Sequence, residues 1–306
     1  MTPEEVVAAC REAGVKLVRF LYCDNGGVVR AKAAHVDRLL DRLRTGIGLT
    51  VAMQAMNSLD QLQPVEGMGP VGEIRLVPDP ATFRVLPYAP RTAAMLVNHV
   101  RTDGEPYEAG PRNFLLRQEA ALAERGMVFR CAVENEFSLA RREGDRYAPI
   151  DRSLCFSTVG MTASQEVIDG IVGALDAQGI QLEQYYAELG HGQQEISVGH
   201  LPAVEAADTQ ILVRETIRAV ASGFGLVASL APKPWTDQAG NGTHVHFSVW
   251  DPATGANLFH DPAGRFGLSS TAEAFAAGIL AHTPGLLALT APSVNSFQRL
   301  LPQHWS

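Results

Sequence analysis

MVFRCAVENEFSL, residues 127–139, carries the pattern on which the reading of the fold turns. Taken as a strand, with side chains alternating from face to face, it puts Glu134, Glu136 and Ser138 on one side. Cys131, Val133 and Phe137 fall on the other, together with Asn135. Two later segments repeat the design. In QQEISV, Gln193, Glu195 and Ser197 share a face, with Ile196 and Val198 opposite. In GTHVHFSVW, His244, His246, Ser248 and Trp250 oppose Val245, Phe247 and Val249. Each strand has an apolar face for a core and a polar face of metal-ligating and phosphate-contacting residue types. A further carboxylate, Glu188, precedes Glu195 across the Gly190-His191-Gly192 turn. An isolated E-x-E on a strand is most simply a solvated edge, and an isolated H-x-H a surface pair. Three strands of matching parity favour a shared cavity, because clustered carboxylates repel unless a cation joins them. Several carboxylates with an imidazole suit Mg²⁺ or Mn²⁺ better than zinc.

Outward from these strands the chain divides. Residues 3–14 read as a helix, VKLVRFLYCD as a strand, Asn25-Gly26-Gly27 as a hairpin turn, and VVRAKAAHV as the returning strand. HVDRLLDRLRTG reads as a helix stopping near Gly46, and proline-punctuated strands follow to about residue 100. The polar, turn-rich RTDGEPYEAGPRN (101–113) marks a boundary, giving a small N-terminal α+β domain over 1–105 and a larger domain over 106–306. NFLLRQEAALAERG opens the second as an amphipathic helix. The apolar run from Ala274 to Ala291 is interrupted by His282-Thr283-Pro284-Gly285 and predicts two short buried helices rather than a membrane span.

The net charge of −8 argues against a general nucleic-acid binder, which needs clustered Lys and Arg. The four cysteines, Cys10, Cys23, Cys131 and Cys155, form no C-x-x-C pair and suit a reducing cytoplasm. No apolar leader follows the acidic MTPEEVVAACREAG start, so no membrane or secretory role is expected. GMGPVG (67–72) spells a dinucleotide-binding fingerprint, but Pro70 interrupts it and a strand follows where a helix is required. There is no P-loop sequence.

Five stretches, in order, resemble the glutamine synthetase family: DGEPYEAGPR (103–112), VENEF (133–137), YYAELGHGQQEI (185–196), KPWTDQAGNGTHVHFS (233–248) and LLALTAPSVNSFQRLLP (286–302). The resemblance covers essentially the whole chain. It implies an α+β fold with a β-grasp-like N-terminal domain, a catalytic domain of antiparallel sheet with flanking helices, and a ring-shaped homo-oligomer. The chemistry implied is ATP-dependent: a γ-carboxylate, that of glutamate, is phosphorylated with Mg²⁺ or Mn²⁺, and ammonia or another amine displaces the phosphate. By resemblance, Glu136, Glu188 and Glu195 hold one metal, and Glu134 and His244 the other. Glu183, His246 and Ser248 match ATP contacts; Gly240 and Arg299 match amino-acid contacts, with Arg299 in a catalytic role.

The sequence departs from the family pattern in places that bear on the amine. Ala239 stands where the family often has a substrate-contacting Asn. Trp305 falls where the flap glutamate that deprotonates ammonium is expected, and a tryptophan is no base. Asn57 and Ser58 occupy the stretch that would carry the ammonium-binding Asp. Family members continue past Ser306, with arginines for phosphate and a further metal glutamate. The expectation is a γ-glutamyl–amine ligase acting on a polyamine or alkylamine, as a piece of a longer enzyme or a shortened relative. Glutamine synthesis proper, a non-catalytic relative and an unrelated metal hydrolase are the competing readings.

Overall fold

The computed structural model describes residues 1–300. It separates into two compact units, Met1–Ala121 with Ala207–Leu212, and Leu122–Ala206 with the chain from Val213 onward.

The first unit starts with α1 (Pro3–Glu12). Thr2 and Glu5 cap each other's backbone N–H groups, Pro3 occupies the first turn, and Gly14 at φ +67° lets the chain turn away at the far end. β1 (Leu17–Cys23) and β2 (Val29–His35) form a hairpin, in whose turn Asp24 Oδ1 accepts from the N–H groups of Gly26 and Val28, each at 2.9 Å. α2 (Leu39–Thr45), β3 (Ile47–Thr50), β4 (Glu73–Pro78), β5 (Arg84–Val85) and β6 (Thr92–Arg101) complete a sheet of order β2-β1-β6-β4-β3, with β5 against β6. β1 and β6 run parallel. Val18, Phe20 and Tyr22 point inward at every second position of β1 and pack among Val6, Cys10, Leu39, Leu76 and Met95. Truncating the fully buried Phe20 to Ala would cost about 3–5 kcal/mol. The glycine-rich 67–72 stretch is an irregular loop leading into β4, as its proline demands. α3 (Pro111–Ala123) brings Arg112 to Asp79 and Asp208, each at 2.8 Å, a largely buried three-residue ion cluster.

The second unit is organised by one strand. β7 (Val128–Glu143) is 16 residues long and pairs antiparallel with β8 (Arg146–Pro149), β10 (Gln193–Val198), β11 (Leu201–Pro202), β12 (Val227–Ser229) and β13 (Val245–Trp250). β9 (Leu182–Ala187) adds to β10. α4 (Thr158–Asp176) and α5 (Ala203–Gly223) contribute Ile171, Leu175, Val213 and Ile217 to the buried interior, with Phe137, Leu139 and Ile196 from the sheet.

The run predicted as two buried helices is instead one helix, α6 (Ser270–Thr290), capped by Ser269 and continuous through Pro284. Ala and Leu dominate its sequence, and their helix propensity over 21 residues outweighs a proline penalty of about 3 kcal/mol. Nor is it buried: only Ala272 is, while Leu280 and Leu289 are largely exposed. It is long and apolar enough to cross a membrane by length and composition. The short α7 (Val294–Arg299) follows.

His99 on β6 is 1% exposed, and neither ring nitrogen has a hydrogen-bond partner in the structure. Its ring meets Tyr22 edge-on at 5.2 Å, and burial pushes its pKa from 6.5 down to about 4. The unfolded chain takes up a proton below 6.5 that the native state refuses. Stability present above that value is therefore lost as pH falls toward about 4, by up to about 3 kcal/mol. Denaturant titrations at pH 7 and pH 5 will show a smaller loss for His99→Phe than for the wild type; equal losses would mean the imidazole is not the source.

Candidate functional site

The register of β7 against β10 fixes the centre of the site. Glu136 lies directly opposite Glu195, Glu134 opposite Ser197, and Ser138 opposite Gln193. Opposed residues share a face, so the three carboxylates stand on one side of the sheet. β9 sets Tyr186 beside Glu195, and β13 sets His246 beside Ala132, on that same side. His244, just before β13, receives the Glu134 N–H on its carbonyl at 3.0 Å.

Glu136 and Glu195 are both buried. Burial is the main reason the pKa of each is raised above the ordinary carboxylate value. At Glu136 the Gly242 N–H and the Arg299 charge act against burial, while Glu188 reinforces it. At Glu195 the Tyr186 hydroxyl opposes it, and Glu136, Glu134 and Glu188 add to it. Glu134, nearer the surface, meets His244 Nδ1 at 3.2 Å and His246 Nε2 at 3.0 Å. Glu188 accepts from the Leu189 N–H at 2.7 Å.

Gln193 ties the buried end together. Its Nε2 donates to Glu136 Oε2 at 2.8 Å, to the Gly240 carbonyl at 2.9 Å and to Asn241 Oδ1 at 3.1 Å, while its Oε1 accepts from the Gly190 N–H at 2.7 Å. The Gly242 N–H completes the cradle at 2.8 Å from Glu136 Oε2. Glycine is required in this loop. A Cβ at Gly240 would lie 2.2 Å from the Pro232 carbonyl, and one at Gly242 only 2.6 Å from both Glu136 Oε1 and Arg299 Nη2. α7 thus brings the Arg299 guanidinium against the glycine loop beside Glu136. Its Nε is buried without a partner in the structure.

Among the described residues, no three His, Cys, Asp or Glu side chains already stand in metal-ligand geometry. The carboxylates are held by amide, phenol, thiol and imidazole groups instead. The donor set, oxygen-rich with an imidazole and two carboxylates face to face, still fits a hard divalent cation. Ser248 Oγ accepts from Trp250 Nε1 at 2.8 Å, and Glu183 lies at the β-bulge where β9 leaves β10, near Gly199. Trp305 lies outside the described residues. Gln193, Asn241 and Tyr186 had no assigned role in the sequence reading. The usable signal was parity: Gln193 shares a face with Glu195, and Tyr186 lies two residues before Glu188.

Residues 1–107 match the glutamine synthetase N-terminal domain, and residues 108–306 match the glutamine synthetase catalytic domain. The chain is 36% identical over 297 residues to the gamma-glutamylpolyamine synthetase GlnA3 of Streptomyces coelicolor, covering 96% of this chain and 63% of that protein. It is 28% identical to the glutamate–methylamine ligase of Methyloversatilis universalis, covering 98% of this chain and 67% of that one. Among solved structures, a glutamine synthase homolog superposes with a TM-score of 0.86 at 33% identity, over 95% of this chain and 68% of that one. A GmaS/ADP complex gives 0.86 at 29%, over 97% and 67%. The chain therefore spans about two thirds of the length of these relatives.

Gln193→Ala would leave Glu136 and the Gly240 carbonyl short of a donor, at about 1–3 kcal/mol. Gln193→Glu is the sharper probe. A carboxylate there faces Glu136, and its pKa in the fold will lie above that in the unfolded chain. The variant should be close to wild type near pH 4.5 and lose stability as pH rises toward 7. Thermal denaturation with chelator present reads this directly, and a penalty independent of pH would refute the electrostatic account.

Proposed function

This chain belongs to the glutamine synthetase family, and on that premise we propose that its protein is an ATP- and Mg²⁺-dependent carboxylate–amine ligase. The product would be a γ-glutamyl amide, formed by way of an acyl phosphate. Because the chain spans 63% of its Streptomyces relative, the activity is assigned to the whole protein. The observation that carries the reading is the Glu136–Glu195 pair, two buried carboxylates directly opposed across a ladder, with Arg299 of α7 packed against the adjacent glycine loop. Burial raises the pKa of both groups, and holding the two ionised together at neutral pH calls for positive charge between or beside them.

In this reading Glu136, Glu188 and Glu195 hold one Mg²⁺ or Mn²⁺, and Glu134 and His244 the second. The ions, when bound, neutralise phosphate oxygens during phosphoryl transfer. Glu183, His246 and Ser248 face the nucleotide. Arg299 grips a substrate carboxylate with its planar fork, and Gly240 lets that substrate approach the backbone. The unpartnered Arg299 Nε supports this, because a buried guanidinium N–H without an acceptor is costly until a ligand provides one. The GmaS/ADP complex supports a nucleotide site on this fold.

We assign an organic amine, a polyamine or alkylamine, over ammonia. The names of the Streptomyces and Methyloversatilis relatives support this, as does the absence of an acidic residue at Asn57 and Ser58. We divide the chain at 105/106 into N-terminal and catalytic domains, and assign a cytoplasmic ring-shaped homo-oligomer without nucleic-acid or membrane partners. The negative net charge and four cysteines outside any disulfide support the setting.

Mg²⁺-dependent ADP release with glutamate, measured with ammonia, alkylamines and polyamines in turn, tests the proposal. Stimulation by an organic amine above that by ammonia is expected. Ammonia as the best acceptor would make the protein a glutamine synthetase, and phosphate release without any amino-acid dependence would make it a hydrolase. Two variants test the site. Glu136→Ala should abolish metal-dependent nucleotide binding in calorimetry, and Arg299→Lys should weaken glutamate binding, about tenfold for one lost charge-assisted hydrogen bond. Unchanged affinities would remove those residues from the site.

A further inference from the structure

Two adjacent residues of the strap between β8 and α4 each address a different carboxylate of the site. Phe156 donates its N–H to the Ala187 carbonyl at 2.9 Å, fastening the strap to the end of β9. Its ring stands edge-to-face on Tyr186, with centroids 5.2 Å apart and planes at 88°. The Tyr186 hydroxyl donates to Glu195 Oε1 at 2.6 Å, a length typical of a bond to an ionised acceptor. One residue earlier, the Cys155 thiol lies 3.9 Å from Glu188 Oε2 and donates to it.

The strap is held in an unfavourable backbone conformation to do this. Phe156 sits at φ +57°, in the left-handed region that bulky residues avoid, and the residue remains 63% exposed. A residue with that conformation and that exposure gains little from burial. What the ring does contact is the phenol that restrains Glu195. Tyr186 in turn lies directly beside Glu195 across the β9–β10 ladder.

We propose that Cys155-Phe156 is a positioning strap for the metal carboxylates: Phe156 orients Tyr186, Tyr186 orients Glu195, and Cys155 orients Glu188. The inference rests on the reading of Glu188 and Glu195 as ligands of one cation. It adds three positioning residues that touch neither the ion nor a substrate. Donors to ligand carboxylates restrict their rotamers, and their loss lowers metal affinity about 10–100-fold.

Mn²⁺ affinity without nucleotide, by calorimetry or electron paramagnetic resonance, is the test. Tyr186→Phe should weaken binding at least about tenfold with only a modest drop in melting temperature, since a single donor to a buried carboxylate is removed and the ring is kept. Phe156→Gly should weaken it in the same direction without lowering the melting temperature, because glycine adopts the positive φ freely. Val159→Ala, an exposed change early in α4, should bind as wild type. A wild-type affinity for Tyr186→Phe overturns the strap proposal while leaving the metal site standing. A wild-type chain that binds no Mn²⁺ overturns the metal reading and the strap with it. Equal losses in Val159→Ala would reduce the effect to general loosening of this segment and overturn the assignment.

Discussion

The opposition of Glu136 and Glu195 across the β7–β10 ladder is the constraint to which the rest of the catalytic unit answers. Like charges directly opposite on a sheet are unfavourable, and burial makes them more so. Every neighbouring element supplies something that relieves this. The glycine loop before β13 gives a backbone N–H, β10 gives the Gln193 amide, α7 gives a guanidinium, and β9 gives a phenol. Removing the carboxylates would make most of these groups unnecessary, and some of them unsatisfied. The local architecture is organised around charge that a sheet alone would not tolerate.

The glycines follow from the same constraint. Gly240 and Gly242 exist as glycines because the loop must pass between the Pro232 carbonyl, Glu136 and Arg299 with no room for a Cβ. Gly192 makes the companion argument on the other side, where a Cβ would meet the Leu139 carbonyl at 2.5 Å. Close backbone approach lets donors reach a buried carboxylate from several directions.

Much of this was legible in the sequence because strand parity is a strict rule. Glu134, Glu136 and Glu195 were assigned to shared faces from alternation alone, and the ladder puts them on one side. The hairpin turn at Asn25–Gly27 and the break at Gly14 followed from local backbone preferences. What alternation does not report is registry between strands. Alternation alone does not say that residue 136 meets residue 195, which only the family resemblance grouped, or that Tyr186 and Gln193 become donors to those two carboxylates. The strap residues were opaque for the same reason, since Cys155 and Phe156 meet their partners only through tertiary structure. At α6 the proline was given too much weight. A helix breaker is a local penalty, and a long run of good helix formers overrode it.

β7 pairs with five strands, and their positions in the chain differ widely. β8 follows after a tight turn, whereas β13 begins at Val245, over a hundred residues later than the Val133 it faces. The near partner can form as soon as it is synthesised; the far one must wait for most of the domain. Until then the central strand exposes unsatisfied backbone along one edge, with apolar side chains beside it. High contact order of this kind slows folding and leaves a partly paired sheet open to association with other chains. The strand that gathers the site into one place thereby also sets the order in which a nascent chain can assemble it.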